Sequence, residues 1–177
     1  MPVRSLVLVV LATWGLFLLG CWSGYVSFDL APVHLHPLQL AGGQAFWEII
    51  ATNTPTALII ALASLFTFGL AGAIMIFIIG ATTGSLVHAA LFAHWTPGLV
   101  LLALLPHGLL EISSFGIFLG TGAFWPFSAL RHWLYAAPWP EHSALRRTLW
   151  QGLAALLLLV LAALIESYLT PLLIHHL

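Results

Sequence analysis

The sequence has very little charge of either sign and no lysine at all. Its cationic side chains, apart from histidine, are Arg4, Arg131, Arg146 and Arg147. Charged residues make up 5% of the chain, whereas an average soluble domain has about 25%. So few charges cannot cover a water-facing surface, and the absence of a basic cluster argues against a nucleic-acid partner.

Cysteine is also scarce, since Cys21 is the only one, and this excludes a disulfide within the chain. The stretch "LLGC" that ends in Cys21 resembles a lipoprotein signal. We nevertheless interpret Ser5 to about Ser27 as a membrane-spanning helix, because about 20 apolar residues cross a bilayer. Cys21 is then expected to be a packed, apolar side chain.

Hydrophobic residues, in contrast, make up 62% of the chain and form long runs. They predict a multi-pass cell-membrane protein: one all-α helix bundle of about five spans, covering residues 1–177 as a single domain. Pro55 is expected at the first helical position of the second span, and Pro97 either breaks the third span or opens the fourth. The predicted spans are Ser5–Ser27, Asn53–Ile79, a third through "GSLVHAALFAHW" toward Leu105, Pro106–Trp125 and Thr148–Thr170.

The arginines predict the orientation. With five crossings all four fall on one side, and the loop of residues 28–52 on the other side has none. The positive-inside rule then places the N-terminus in the cytoplasm. The cytoplasmic loop after the fourth span has Phe127, Leu130 and Leu134 on one helical face, which predicts a short helix lying in the interface.

Glycines recur at a spacing of four residues in three places. Such pairs allow helices to approach closely in lipid. We interpret them as contacts within the chain rather than as the face of a homodimer. The pairs are Gly20 with Gly24, Gly80 with Gly84, and Gly116 with Gly120.

Two carboxylates, Glu111 and Glu166, fall inside predicted spans. A charge at mid-bilayer costs about 2.5–3.5 kcal/mol on insertion scales, so such groups normally have a partner inside the protein. His107 lies four residues before Glu111 and therefore on the same helix face. Helix lengths place Glu166 at a similar depth, with Asn53 and Glu48 approaching the same level, and we predict one buried polar cluster in the outer leaflet.

The cluster has two interpretations. It can be structural, with Glu166 protonated or bonded to Asn53 or Tyr168. Alternatively, His107, Glu111 and Glu166 can form a site for a divalent metal such as zinc, because imidazole and carboxylate are ligands of Zn²⁺ and Fe²⁺. His34 and His36 could close such a site from above. The sequence has no His-Glu-x-x-His motif and no Gly-x-Ser-x-Gly motif.

Two motifs resemble a known family. "PHGLLEISS" and, about 55 residues later, "LIESYLTP" are similar in order and spacing to the stage II sporulation protein M family of integral membrane proteins. The resemblance extends over roughly Trp47 to Leu172. The positions that match the family pattern are His107, Gly108, Glu111, Glu166 and Pro171. The sequence departs from the pattern at Thr54 and Ile79, where the family has asparagines.

The resemblance implies a membrane protein of five or six spans. The sporulation member helps to organise a cell-wall-remodelling complex, and relatives accompany circular-bacteriocin maturation and export systems. It implies no agreed chemical activity. We therefore keep three hypotheses: a subunit that anchors or organises a protein partner or a homo-oligomer, an intramembrane metal-dependent enzyme acting on peptide or lipid, and a transport or export subunit.

The orientation can be tested by labelling. In intact cells, a Ser143→Cys variant should resist a membrane-impermeant thiol reagent, because this residue is predicted to face the cytoplasm. A Gln44→Cys variant should react, because its loop is predicted to lie outside. The reverse pattern would overturn the orientation.

Overall fold

In a computed structural model, the described residues are 1–27 and 42–175, and they are helical with no strand. Five helices are long and apolar enough to cross a membrane. The prediction of an all-α bundle with about five spans is therefore confirmed. The helices are α1 (Val3–Val26), α2 (Gly43–Phe66), α3 (Leu70–Phe92), α4 (Pro97–Tyr135), α5 (His142–Leu164) and a short α6 (Thr170–His175), with one π-helical turn, Ile165–Leu169, between the last two.

The second predicted span is wrong in its boundaries. Residues 53–79 do not form one helix, because a tight turn at Thr67–Gly69 separates α2 from α3. Phe68 and Gly69 both have positive φ, and Thr67 Oγ accepts a hydrogen bond from Ala71 N at 2.9 Å. Pro55 lies inside α2 rather than at its first position. The turn was missed because it consists largely of apolar residues.

The third and fourth predicted spans are also wrong in their boundaries. The third span ends at Phe92, and Pro97 opens the fourth, which is one of the two alternatives given for this proline and lies nine residues before the predicted start at Pro106. Thr96 caps this helix, since its side chain accepts a hydrogen bond from Leu99 N at 3.3 Å. Proline at the first helical position loses no hydrogen bond, and the pair Thr96-Pro97 is therefore a helix start.

Helix α4 is much longer than predicted. Its 39 residues extend over about 58 Å at 1.5 Å per residue. The predicted interfacial helix around Leu130 is wrong as a separate element, because these residues continue α4 as far as Tyr135. Pro126 lies inside the helix without ending it.

Helix α4 is also the centre of the bundle and contacts every other helix. A core of buried apolar side chains surrounds it near the middle of the bundle. Ser114 Oγ, at this level, donates a buried hydrogen bond to the Ala155 carbonyl of α5 at 2.8 Å. The core consists of Ala57, Ile60, Ile76, Ile112, Phe115, Phe118, Ala155 and Leu159.

Helices α1 and α3 pack backbone against backbone through two glycine pairs. A Cβ atom on Gly24 would collide with the backbone of Ala81, and one on Gly84 would collide with the backbone of Cys21. Gly116 and Gly120 face α1 from α4. The interpretation of the glycine pairs as contacts within the chain is confirmed.

The last span is interrupted where the sequence places Pro171. Proline has no N–H for the carbonyl four residues earlier, that of Ser167. The freed Ser167 carbonyl accepts a hydrogen bond from Gly42 N at 3.0 Å instead. The π-helical turn lies directly before this proline, and the hydrogen bond joins it to the start of α2.

The close α1–α3 contact gives a stability prediction. Gly84→Ala should destabilise the detergent-solubilised protein by about 1–3 kcal/mol, because the new methyl group has no room beside the Cys21 backbone. Gly15→Ala is the control, since a Cβ there meets nothing within 4 Å, and it should change stability by no more than about 1 kcal/mol. Denaturant unfolding measures both. Equal losses would contradict the packing argument.

Candidate functional site

A cavity of about 420 Å³ opens at the end of the bundle that has no arginine. It lies between the start of α2, the end of α3, the first part of α4, and the π-helical turn with α6. Most of its wall is apolar, with three ionisable side chains, Glu48, His107 and Glu166. We call it the outer cavity. Its apolar lining residues are Ala45, Ile49, Leu86, Val87, Ala90, Trp95, Val100, Ala103, Leu104 and Pro171, with Thr170 also in the wall.

His107 and Glu166 meet at this cavity. His107 Nε2 lies 3.9 Å from Glu166 Oε2, and the exposed side-chain fractions are 11% and 33%. This distance exceeds that of a hydrogen bond, so the contact is an ion pair only when the imidazole is protonated. His107 Nδ1 is buried without a hydrogen-bond partner.

Glu111 lies one helical turn beyond His107 on α4 and is half-buried. Its carboxylate is close enough to that of Glu166 for two negative charges to repel each other, whereas Glu166 attracts a protonated His107. The structure therefore places His107 beside Glu166, and one buried cluster of His107, Glu111 and Glu166 stays a prediction. Glu48 and Glu166 make the lining of the cavity acidic when they are ionised.

These residues meet although the predicted helix boundaries were wrong. His107 lies ten residues after the start of α4, and Glu166 lies nine residues before the end of α6. Both are therefore about 14–15 Å from the same end of the bundle at 1.5 Å per residue. The earlier start of α4 is offset by the continuation of the last span to His175.

The π-helical turn places Glu166 at the cavity. A π-helical turn changes the direction of the side chains that follow it, and such turns are frequent at functional sites. Thr170 Oγ donates to the Ile165 carbonyl at 3.2 Å across this turn, and Ser167 Oγ donates to the Ala163 carbonyl. Two side-chain hydroxyls thus donate hydrogen bonds to backbone carbonyls in or beside the π-helical turn.

Glu48 lines the cavity, whereas the sequence analysis placed it only near the depth of the cluster and did not count it among the cluster residues. The predicted boundary placed Glu48 in a loop, whereas it lies in the second turn of α2. Glu48 would have been recognised as a helical residue near the cluster if the start of α2 had been predicted at Gly43, ten residues before Asn53. Asn53 is half-buried and does not line the cavity. His34 and His36 lie outside the described residues.

Two of the three predicted metal ligands, His107 and Glu166, are neighbours in the structure. Among residues 1–27 and 42–175, no three His, Cys, Asp or Glu side chains are arranged so that they could hold a metal ion. A structural or catalytic zinc site has at least three protein ligands. Zinc binding by His107, Glu111 and Glu166 therefore stays a prediction.

A double-mutant cycle tests the coupling of His107 and Glu166. Glu166→Gln and His107→Ala should each destabilise the detergent-solubilised protein by about 1–3 kcal/mol, because each removes a partner of a buried polar group. The double variant should lose clearly less than the sum, because the first change already leaves the second group without its partner.

Glu141→Gln combined with His107→Ala serves as the control pair. Glu141 lies at the opposite end of the bundle, so these two losses should add within about 0.5 kcal/mol. Simple additivity for His107 with Glu166 would show that the two residues do not act as a unit.

Comparisons with known proteins identify the family of the chain. The chain is 28% identical over 166 residues to an uncharacterized protein of Methanocaldococcus jannaschii, covering 92% of this chain and 93% of that protein. No solved structure matches the chain. The profile of the family described as Stage II sporulation protein M matches residues 7–171. The chain thus belongs to the Stage II sporulation protein M family.

Proposed function

We propose that this protein is a membrane subunit that holds a partner protein in a membrane complex, and that the partner docks at the outer cavity. The proposal rests on one observation, a cavity that has apolar walls and two carboxylates, Glu48 and Glu166, in its lining. A volume of about 420 Å³ is within the range of about 300–1,000 Å³ that is usual for ligand pockets. It can take one or two large side chains of a neighbouring helix.

The wall of the cavity favours an apolar segment. Leu86, Val87, Val100 and Leu104 supply aliphatic surface, with Trp95 beside them. Aromatic and aliphatic pockets of this kind receive the few side chains that dominate the affinity of an interface. A partner helix end or a membrane-embedded loop has the required character.

The charges of the cavity favour a partner that carries a basic group. Glu48 and Glu166 both line it, and Glu111 lies close to Glu166. An arginine, lysine or amino group near the membrane surface would gain a charge-assisted hydrogen bond from such carboxylates. The chain itself has no arginine at this end and no lysine, so an arginine or lysine beside these carboxylates would come from another molecule.

A transport role has less support from the geometry. The cavity lies at one end of the bundle, and the buried side chains of Ile60, Ile76, Phe115 and Leu159 fill the middle. These side chains are at most 1% exposed. A pathway across the bundle would require this core to open.

An enzyme that acts at the outer leaflet is the second candidate. The His107–Glu166 contact favours it, because an imidazole beside a carboxylate can transfer protons. The zinc version needs a third ligand, for which Glu111 is the residue nearest in sequence to His107. A partner and a substrate would occupy the same cavity, and one experiment can therefore distinguish them.

The test uses a photo-crosslinking amino acid at Trp95 or at Phe92. Trp95 lines the cavity, whereas Phe92, three residues earlier, is 66% exposed and does not line it. In native membranes, the group at Trp95 should form one protein adduct. That adduct should decrease severalfold when Glu48→Gln and Glu166→Gln are combined, because the partner's basic group then loses its counter-charge.

The group at Phe92 should give products that do not depend on these carboxylates. If the yield of the Trp95 adduct also stays the same when Glu48→Gln and Glu166→Gln are combined, the proposed docking is contradicted. The enzyme alternative requires a different result: stoichiometric zinc in the purified protein, lost in the Glu166→Gln variant, with no protein adduct at Trp95.

A further inference from the structure

A second cavity, of about 280 Å³, lies at the opposite end of the bundle, where the chain has its arginines. Arg131 near the end of α4 and Arg147 in α5 line it, together with Met1, Phe124 and Ser128. We call it the basic cavity. It is separate from the outer cavity, and the proposed function does not use it.

The loop between α4 and α5 forms one wall of the basic cavity. Ala136 ends α4 with a positive φ, so the chain turns back on itself. His132 Nδ1 donates to the Ala137 carbonyl at 2.7 Å, and the His132 ring packs edge-on against Trp139 at 5.6 Å. These contacts hold Pro138 against the cavity.

The N-terminal segment forms the facing wall. Gln151 Nε2 donates to the Met1 carbonyl at 3.0 Å, which fixes this segment against α5. Burial lowers the pKa of the Met1 amino group, and the positive charge of Arg147 lowers it further. Arg131 and Arg147 therefore supply the positive charge of the cavity lining.

The two arginines have no carboxylate partner in the described part of the chain. Glu141, the carboxylate of the neighbouring loop, accepts a hydrogen bond from Ser143 Oγ at 3.3 Å and does not line the cavity. Both arginine side chains are exposed and line the same cavity. An anion between them would accept charge-assisted hydrogen bonds from both.

Aromatic side chains place this cavity at the level of the lipid headgroups. Trp133, Tyr135, Trp139 and Trp150 are all exposed around this end of the bundle. Tryptophan and tyrosine concentrate where hydrocarbon meets the headgroups. The phosphate groups of the lipids therefore lie at the same level as Arg131 and Arg147.

We propose that the basic cavity binds a phosphate anion between Arg131 and Arg147. The phosphate of an anionic lipid headgroup or free phosphate could supply this chemistry. Basic cavities between membrane helices commonly hold such headgroups on the cytoplasmic side, which is the side predicted here from the arginines. Guanidinium groups suit the task, because their planar donors bind two phosphate oxygens at once.

The experiment measures thermal stabilisation of the full chain in neutral detergent during titration with three probes: phosphatidylglycerol, phosphatidylcholine and inorganic phosphate. Phosphatidylglycerol should stabilise the protein, and phosphatidylcholine should do so much less. Arg131→Gln or Arg147→Gln should each weaken the apparent affinity about fivefold, the effect of one arginine at an anionic surface.

Arg146→Gln is the matched control, because Arg146 neighbours Arg147 in sequence but lines a different depression with Leu149 and Trp150. This variant should bind phosphatidylglycerol as the unchanged protein does. Arg131→Lys and Arg147→Lys keep the charge but lose the paired donors of the guanidinium group, and their affinity should lie between that of the unchanged protein and that of the glutamine variants. Melting without lipid checks that all variants are folded.

The probes also identify the source of the phosphate. Stabilisation by phosphatidylglycerol alone supports a lipid headgroup, and stabilisation by inorganic phosphate that competes with the lipid supports a soluble anion. In both cases the effect must depend on Arg131 and Arg147. The proposal would be overturned if Arg146→Gln lowered the apparent affinity as much as the other two substitutions do. It would also be overturned if none of the three substitutions changed the stabilisation.

Discussion

A backbone carbonyl that loses its helical partner inside a bilayer has no water to replace it. One such carbonyl, that of Ser167, lies at the end of the bundle that has no arginine, and Pro171 has no N–H to donate to it. The Gly42 N–H donates a hydrogen bond to it instead. This bond joins the start of α2 to the last span, next to the π-helical turn that contains Glu166. Both segments contribute to the wall of the outer cavity.

The two ends of the bundle differ in charge, and the apolar core separates them. Glu48, Glu111 and Glu166 lie toward one end, and Arg131 and Arg147 lie at the other. His107 and Arg131 belong to the same helix, 24 residues apart, which is about 36 Å at 1.5 Å per residue. Each end can therefore meet its own ligand, and α4 is the element they share.

Composition alone predicted the fold class, because a chain with 5% charged residues has no other place than lipid for its surface. It also predicted that Glu111 and Glu166 need partners, since that need follows from the cost of burying charge. The helix boundaries were harder, because Thr67–Gly69 is a turn made largely of apolar residues and Pro55, Pro106 and Pro126 lie inside helices. Glu48 was assigned to a loop and left out of the predicted cluster for the same reason, since its position depends on where α2 begins.

The length of α4 has a consequence for the membrane in which the protein resides. Even tilted by about 40°, the upper limit for membrane helices, a rod of about 58 Å projects about 44 Å along the bilayer normal, well beyond a hydrocarbon core of about 30 Å. Its ends leave the hydrocarbon in thin and thick bilayers alike. Helices α1, α2 and α3 have 23 or 24 residues each, or about 35 Å, whereas the last span continues from α5 through the π-helical turn into α6. Hydrophobic matching to bilayer thickness is consequently a property of α1, α2 and α3, and the length of α4 does not set it.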